Sequence, residues 1–200
     1  MTLPKLILGS TSPFRAELLK KLRIPFDTAA PDVDESPKPG ETPADLVTRL
    51  TRLKAQTVAH QHPEHLIITS DQVATFNGLP IGKPHDYDKA VNQLSNFSGK
   101  RVTFLTGIGL LNTLTGHYQF SLEPFHVYFK VLSRQQIEAY LLLEEPYQCA
   151  GSFKSEGLGI TLFKKLEGDD PNTLVGLPLI RLTEFLANEK MILPLVTKPV

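Results

Sequence analysis

The chain opens on an apolar run, Leu6-Ile-Leu8, that stops at Gly9 and gives way to Ser10-Thr-Ser12 before Pro13. Such a run ending in small residues predicts a buried strand and a tight turn. Ser12 followed by proline predicts a helix, with serine as its N-cap and Pro13 at its first position. Phe14 and Leu18 begin the apolar face of that helix. Residues 26–30 can form a short strand, and an acidic, proline-rich loop over 31–40 follows. Thr42 and Pro43 start a second helix, with Leu46, Leu50, Leu53 and Thr57 as its stripe. Residues 66–73 are strongly apolar and turn polar at Ser70-Asp71-Gln72. A central strand does this where it reaches the ligand edge of an open sheet.

Further along, Asn77-Gly78 between two β-prone runs predicts a hairpin. Residues 86–97 read as a helix whose inward positions are Ala90, Val91, Leu94 and Phe97. Two long strands, 101–112 and 117–131, meet near Gly116, and Ser133 with Gln136 forms a capping box for a helix through about Glu144. The glycine- and serine-rich stretch 149–160 reads as a loop, 162–166 as a short strand, 168–172 as a turn and 178–188 as the last helix. The tail from Glu189 is expected to be peripheral. Alternating strands and helices with paired strands between them predict an α/β fold with a mixed sheet flanked by helices.

Composition narrows the function. The 21 Lys and Arg balance the 21 Asp and Glu, so no global basic field recruits a nucleic-acid polymer. An anionic ligand must be met by a local pocket, which favours a small nucleotide. One cysteine, Cys149, excludes an internal disulfide, and no apolar stretch approaches the length of a membrane span or a signal sequence. A cytoplasmic protein is expected. With 200 residues it is expected to be one domain, in two lobes with the active site in the cleft between them.

The candidate chemistry begins at the first turn. Backbone N–H groups, Ser10 and Arg15 converge there, and Arg15 in a first helical turn opposes the helix dipole unless an anion compensates. The competing explanation is a plain capped helix. Asp32, Asp34 and Glu35 are either a solvated turn or a source of carboxylates for a divalent metal. Lys54 shares the face of Leu50 and Val58, so it either snorkels out or meets a buried carboxylate or phosphate. Asp71, at the end of the most hydrophobic strand, could ligate a metal or accept a proton from water. Lys83, in Gly82-Lys-Pro84, could clamp a phosphate or be an ordinary surface lysine. His60, His62 and His65 suit a helix end better than a metal. Ser10, Ser70 and Ser152 lack an activating base in sequence, and Cys149 reads as a packing residue.

Taken in order, residues 8–15, Val33-Asp-Glu35, Lys54, Ser70-Asp-Gln72, Gly82-Lys-Pro84, Thr106-Gly107 and residues 150–157 resemble the Maf family of nucleotide pyrophosphatases, over about Leu3 to Leu186. Ser70-Asp-Gln72 and the block 149–159 are similar to its YceF subfamily. The resemblance implies an elongated α/β fold related to inosine-triphosphate pyrophosphatases, commonly dimeric. It implies cleavage between the α and β phosphates of 7-methyl-GTP with a divalent cation, Mg²⁺ or Mn²⁺. By that resemblance Asp71 is the general base, Ser10, Arg15, Glu35, Lys54 and Lys83 handle phosphates and metal, and Phe14, Gln72 and Glu156 set base choice. Some relatives carry tryptophan where Phe14 stands, and this chain has none. Two alternatives stay open: the same chemistry on unmodified or other modified nucleotides, and a nucleotide-binding regulator of septum formation without turnover.

Overall fold

The computed structural model describes residues 4–195. Its strands form one mixed sheet: β1 (Lys5–Gly9), β2 (Asp27–Ala29), β3 (His65–Phe76), β4 (Leu79–Ile81), β5 (Arg101–Asn112), β6 (Tyr118–Phe129) and β7 (Phe163–Glu167). The order is β2-β1-β3-β5-β6-β7, with β4 paired to β3. β1 runs parallel to β2 and β3, with Ile7 opposite Asp27 and Ile67. β4 on β3 and β7 on β6 are antiparallel. The helices are α1 (Pro13–Lys20), α2 (Pro43–Ala59), α3 (Tyr87–Phe97), α4 (Arg134–Glu144), α5 (Asn172–Val175) and α6 (Leu179–Asn188). Among the described residues no helix is long and apolar enough to cross a membrane.

Contacts divide the chain into two compact units. The first takes its described residues from Met1–Asp71, Thr106–Glu123 and Asp170–Val200; the second is Gln72–Leu105 and Pro124–Asp169. In the first unit β1 is buried on both faces, as a parallel strand covered by helices must be. Leu6 and Leu8 pack with Leu18 and Leu19 of α1 and with Leu182, Phe185 and Leu186 of α6. Ile7 and Ile67 pack on the other side with Val58 of α2. In the second unit the core is aromatic. Phe97 meets Phe76 and Phe129 at centroid distances of 5.2 and 5.5 Å, and Phe153 meets Phe163 at 4.9 Å. The Asn77-Gly78 turn there has φ of 52° and 79°, the left-handed pair that a tight hairpin requires.

The start signals in the sequence act as caps. Ser12, Thr42 and Asp86 side chains accept backbone N–H groups of α1, α2 and α3, and Ser133 with Gln136 forms the capping box of α4. Three expectations change. The buried face of α2 is turned from the predicted stripe and shares only half of it. Leu46 and Leu50 are buried as that stripe requires, but Leu53 and Thr57 are only half-buried, and Val47, Thr51, Lys54, Ala55 and Val58 complete the buried face instead. Gly107 in β5 is one reason: a Cβ there would lie 2.4 Å from Thr51 Oγ1 and 2.8 Å from Val47 Cγ1, so its absence lets that face of α2 press against the sheet. The second change is at the tail. Met191 is buried, Leu193 and Leu195 pack against the core, and the Glu189 carboxylate accepts from Asn112 Nδ2 at 2.7 Å and meets His117 Nδ1 at 2.8 Å. The segment from Glu189 is therefore docked rather than peripheral as far as Leu195; residues 196–200 lie outside the described residues. Third, the loop read over 149–160 ends in a 3₁₀ turn, Leu158–Leu162, because the Glu144 carboxylate takes the Leu158 N–H at 2.9 Å.

Candidate active site

Six of the predicted site residues fall in the first unit: Ser10, Phe14, Arg15, Glu35, Lys54 and Asp71. Gln72, Lys83 and Glu156 fall in the second.

At the first turn, the chain leaves β1 through Gly9 and enters α1 at Pro13. Ser10 Oγ accepts the Ser12 N–H at 3.1 Å and Arg15 Nη1 at 3.4 Å. Arg15 Nε donates to the Gly176 carbonyl at 2.9 Å. Burial pulls the Arg15 pKa below the usual guanidinium value, and Asp71 and then Glu35 act in the opposite sense. The cation at the start of α1 is thus set within reach of both carboxylates. Phe14, which the pattern placed on the apolar face, is 45% exposed, whereas Leu18 is buried. Its ring is left open for stacking.

Lys54 does not snorkel. Its side chain is 6% exposed, and Nζ lies 2.6 Å from Asp71 Oδ1 and 2.7 Å from Glu35 Oε1. Two elements make this geometry. The α2 helix delivers the lysine on its buried face, and β3 delivers Asp71 where its apolar run ends. Glu35 comes from the acidic loop and keeps 61% of its side chain exposed. Asp34 instead accepts the Ser36 N–H at 2.9 Å, which holds its carboxyl below the usual range. Only Glu35 of the acidic triplet reaches the lysine. The loop behind it is fixed by Arg49, which pairs with both Glu41 oxygens at 2.5 and 2.8 Å and donates to the Ser36 carbonyl at 3.0 Å.

The turn the sequence predicts ends at Asn172 and gives Gly176 no role. Its carbonyl accepts from Arg15 Nε and from Ser70 Oγ at 2.8 Å, so one backbone oxygen orients both the arginine and the residue beside Asp71. The short helix α5 presents it, closed by Gly176 at φ 114°. A glycine after a polar Asp-Pro-Asn start was the available signal.

In the second unit, Lys83 follows Gly82 in an exposed connection after β4, and Glu156 is exposed in the loop before the 3₁₀ turn. Both act on the Cys149 thiol. Burial raises its pKa; Lys154 and Lys83 pull it down, and Glu156 and Glu144 push it up. Lys83 and Glu156 thus both lie within electrostatic range of one thiol. Gln72 is half-buried at the point where β3 enters this unit.

Two carboxylates drawn onto one ammonium suit a divalent cation in donor chemistry, because Mg²⁺ takes one or two protein carboxylates and completes its shell with water and substrate phosphates. No group of three or more His, Cys, Asp or Glu gathers among the described residues, so a full protein cage is not on offer there.

Residues 5–189 match the family model described as Maf-like protein. A protein of Alcanivorax borkumensis named 7-methyl-GTP pyrophosphatase is 60% identical over 96% of this chain and 98% of its own. One of Pseudomonas syringae pv. tomato with the same name is 53% identical over 96% of this chain and 100% of its own. In three dimensions, the Ham1 protein of Staphylococcus aureus superposes with a TM-score of 0.53 over 92% of this chain and 99% of its own. At 14% identity that likeness concerns the fold alone, a mixed sheet flanked by helices.

Proposed function

Because this chain belongs to the Maf family, we propose that it hydrolyses the α–β phosphate bond of 7-methyl-GTP to 7-methyl-GMP and pyrophosphate. The observation that carries this reading is the Lys54 ammonium held between Asp71 and Glu35, in electrostatic reach of Arg15. The relatives named for this reaction supply the substrate.

In the step, a water oxygen attacks the α-phosphorus and the bond to the bridging oxygen breaks. Pyrophosphate leaves with that bond's electron pair. Asp71 takes the water proton, and Lys54, bonded to its Oδ1, fixes the carboxylate's orientation. Arg15, Lys54 and Lys83 neutralise the triphosphate, and Ser10 adds a hydroxyl. Glu35 and Asp71 would hold the Mg²⁺ or Mn²⁺, which supplies charge neutralisation on the phosphoryl oxygens when bound.

Base selection follows from the methyl group. N7 methylation leaves the purine cationic, and a cation stacks favourably on an aromatic face. Phe14 provides an exposed ring and Glu156 a carboxylate for the base's N–H donors. Gln72 offers an amide at the same task. The reading carries two further expectations, a homodimer and a cytoplasmic location, which sedimentation and cell fractionation check.

Pyrophosphate release across a panel of nucleotides tests the proposal. Release from 7-methyl-GTP well above that from GTP, lost on chelation of divalent metal, is expected. Equal rates on the two nucleotides would defeat the selectivity, and turnover untouched by a chelator would defeat the metal.

A further inference from the structure

Gln93 projects from α3 and uses both ends of its amide. Nε2 donates to the Gly82 carbonyl at 3.0 Å, and Oε1 accepts from Ser152 Oγ at 2.5 Å. A donor at one end and an acceptor at the other fix the amide in a single orientation. Gly82 is the residue before Lys83, and Ser152 stands in the loop that carries Glu156. The same two segments are tied again beyond Lys83, where the His85 N–H donates to the Tyr147 carbonyl at 3.0 Å.

The 149–157 loop is built to keep this link. Gly151 and Ser152 both have left-handed backbones, at φ 79° and 62°. A serine is unfavourable there without local compensation. Its hydroxyl is buried against Gln93 rather than turned to solvent. Four residues before the 3₁₀ turn begins, Lys154 Nζ donates to the Glu144 carbonyl at 2.9 Å and pairs with the Glu144 carboxylate at 3.2 Å. That carboxylate also accepts the Leu158 N–H at 2.9 Å. Glu156 is thus suspended between a fixed point at Ser152 and fixed points at Lys154 and Leu158.

We infer that Gln93 is a positioning residue for the reaction: it sets the Lys83 segment against the Glu156 loop and so joins the phosphate grip to the choice of base. This rests on the roles given above to Lys83 and Glu156. Gln93 itself touches neither substrate nor reacting atoms.

The test uses the full chain and measures KM, kcat and the ratio of kcat/KM for 7-methyl-GTP over GTP. Gln93→Met keeps the length of the side chain and removes both hydrogen bonds. It is expected to raise KM and lower the ratio roughly five- to tenfold, with kcat changed less. Ser152→Ala cuts only the loop link, so the ratio falls while KM for GTP stays near wild type. The double variant should have the same ratio as Gln93→Met, because one link is being cut twice. Additive losses, or a lowered melting temperature with unchanged KM and ratio, would overturn the inference by reducing Gln93 to a fold-stabilising role. Should Gln93→Met fail to fold, Ser152→Ala decides alone. Lys83→Ala and Glu156→Ala serve as references. If they are impaired and the Gln93 and Ser152 variants are not, the positioning role fails and the roles of Lys83 and Glu156 stand. If the references have wild-type kinetics, those roles fail and the inference falls with them.

Discussion

Lys54 Nζ donates to Asp71 Oδ1 across 2.6 Å, from a helix position whose neighbours face the core. Breaking a buried ion pair from one side strands the other charge, at a cost of about 3–5 kcal/mol. Lys54→Met should therefore destabilise the fold by that order in urea titrations, and Asp71→Asn by less, because Glu35 still pairs with the lysine. Activity should rank differently. Asp71→Asn is expected to cut kcat by about a hundred- to ten-thousand-fold with the fold intact. A mutant that keeps its turnover would remove Asp71 from the base role.

Phe14 presents a ring that is 45% exposed at the start of α1. Tryptophan is the stronger partner for a cation, and the gain for an exposed pair is about 0.5–1 kcal/mol. Phe14→Trp should lower KM for 7-methyl-GTP by a few-fold and leave KM for GTP unchanged. Phe14→Leu should move the same ratio the other way. Parallel effects on both nucleotides would indicate general packing instead of charge recognition.

A Cβ on Gly176 would sit 3.3 Å from Arg15 Nε, on a backbone at φ 114°. Gly176→Ala should cost about 1–2 kcal/mol from the left-handed conformation and raise KM by displacing the arginine. Ser70→Ala removes the other donor to the same carbonyl, at about 1 kcal/mol, and should leave KM nearly unchanged. Denaturation curves and nucleotide titrations on the two variants separate these effects.

Hydrogen bonds from Arg49, and then from the Lys38 N–H, hold the Glu41 carboxyl down at about 2. A folded value below the unfolded one, about 4.3, adds stability that is complete above the unfolded value and disappears as pH falls through the folded one. Melting temperatures of wild type and Glu41→Gln should therefore diverge most above about pH 5 and converge toward about pH 2. Added salt should shrink the gap, since the pair is near the surface. A constant gap across that window would show that the pairing is not what the loop depends on.

Local signals carried most of the fold. Ser12-Pro13, Thr42-Pro43, Asn77-Gly78 and the Ser133–Gln136 box act within four residues, so their geometry is written where they stand. Lys54 was half legible: its helix face followed from periodicity, but whether carboxylate or phosphate met it depended on Asp71 and Glu35, brought in by other elements. Gly176 could be read only as a helix-ending glycine and Gln93 not at all. The arginine that Gly176 holds lies 161 positions away, and no periodicity links the two. Gln93 read as a polar helix position, because its partners are a backbone carbonyl and a serine on separate loops. The α2 stripe, right at Leu46 and Leu50, misses Val47 and Thr51 for a similar reason. Gly107, which admits Val47 and Thr51 to the sheet, lies on a strand far along the chain.

The most direct measurement is product analysis of 7-methyl-GTP turnover by the full chain in heavy-oxygen water with Mg²⁺. Attack at the α-phosphorus predicts 7-methyl-GMP carrying one solvent oxygen, together with unlabelled pyrophosphate. Label in the pyrophosphate, release of 7-methyl-GDP with inorganic phosphate, or no turnover would contradict it.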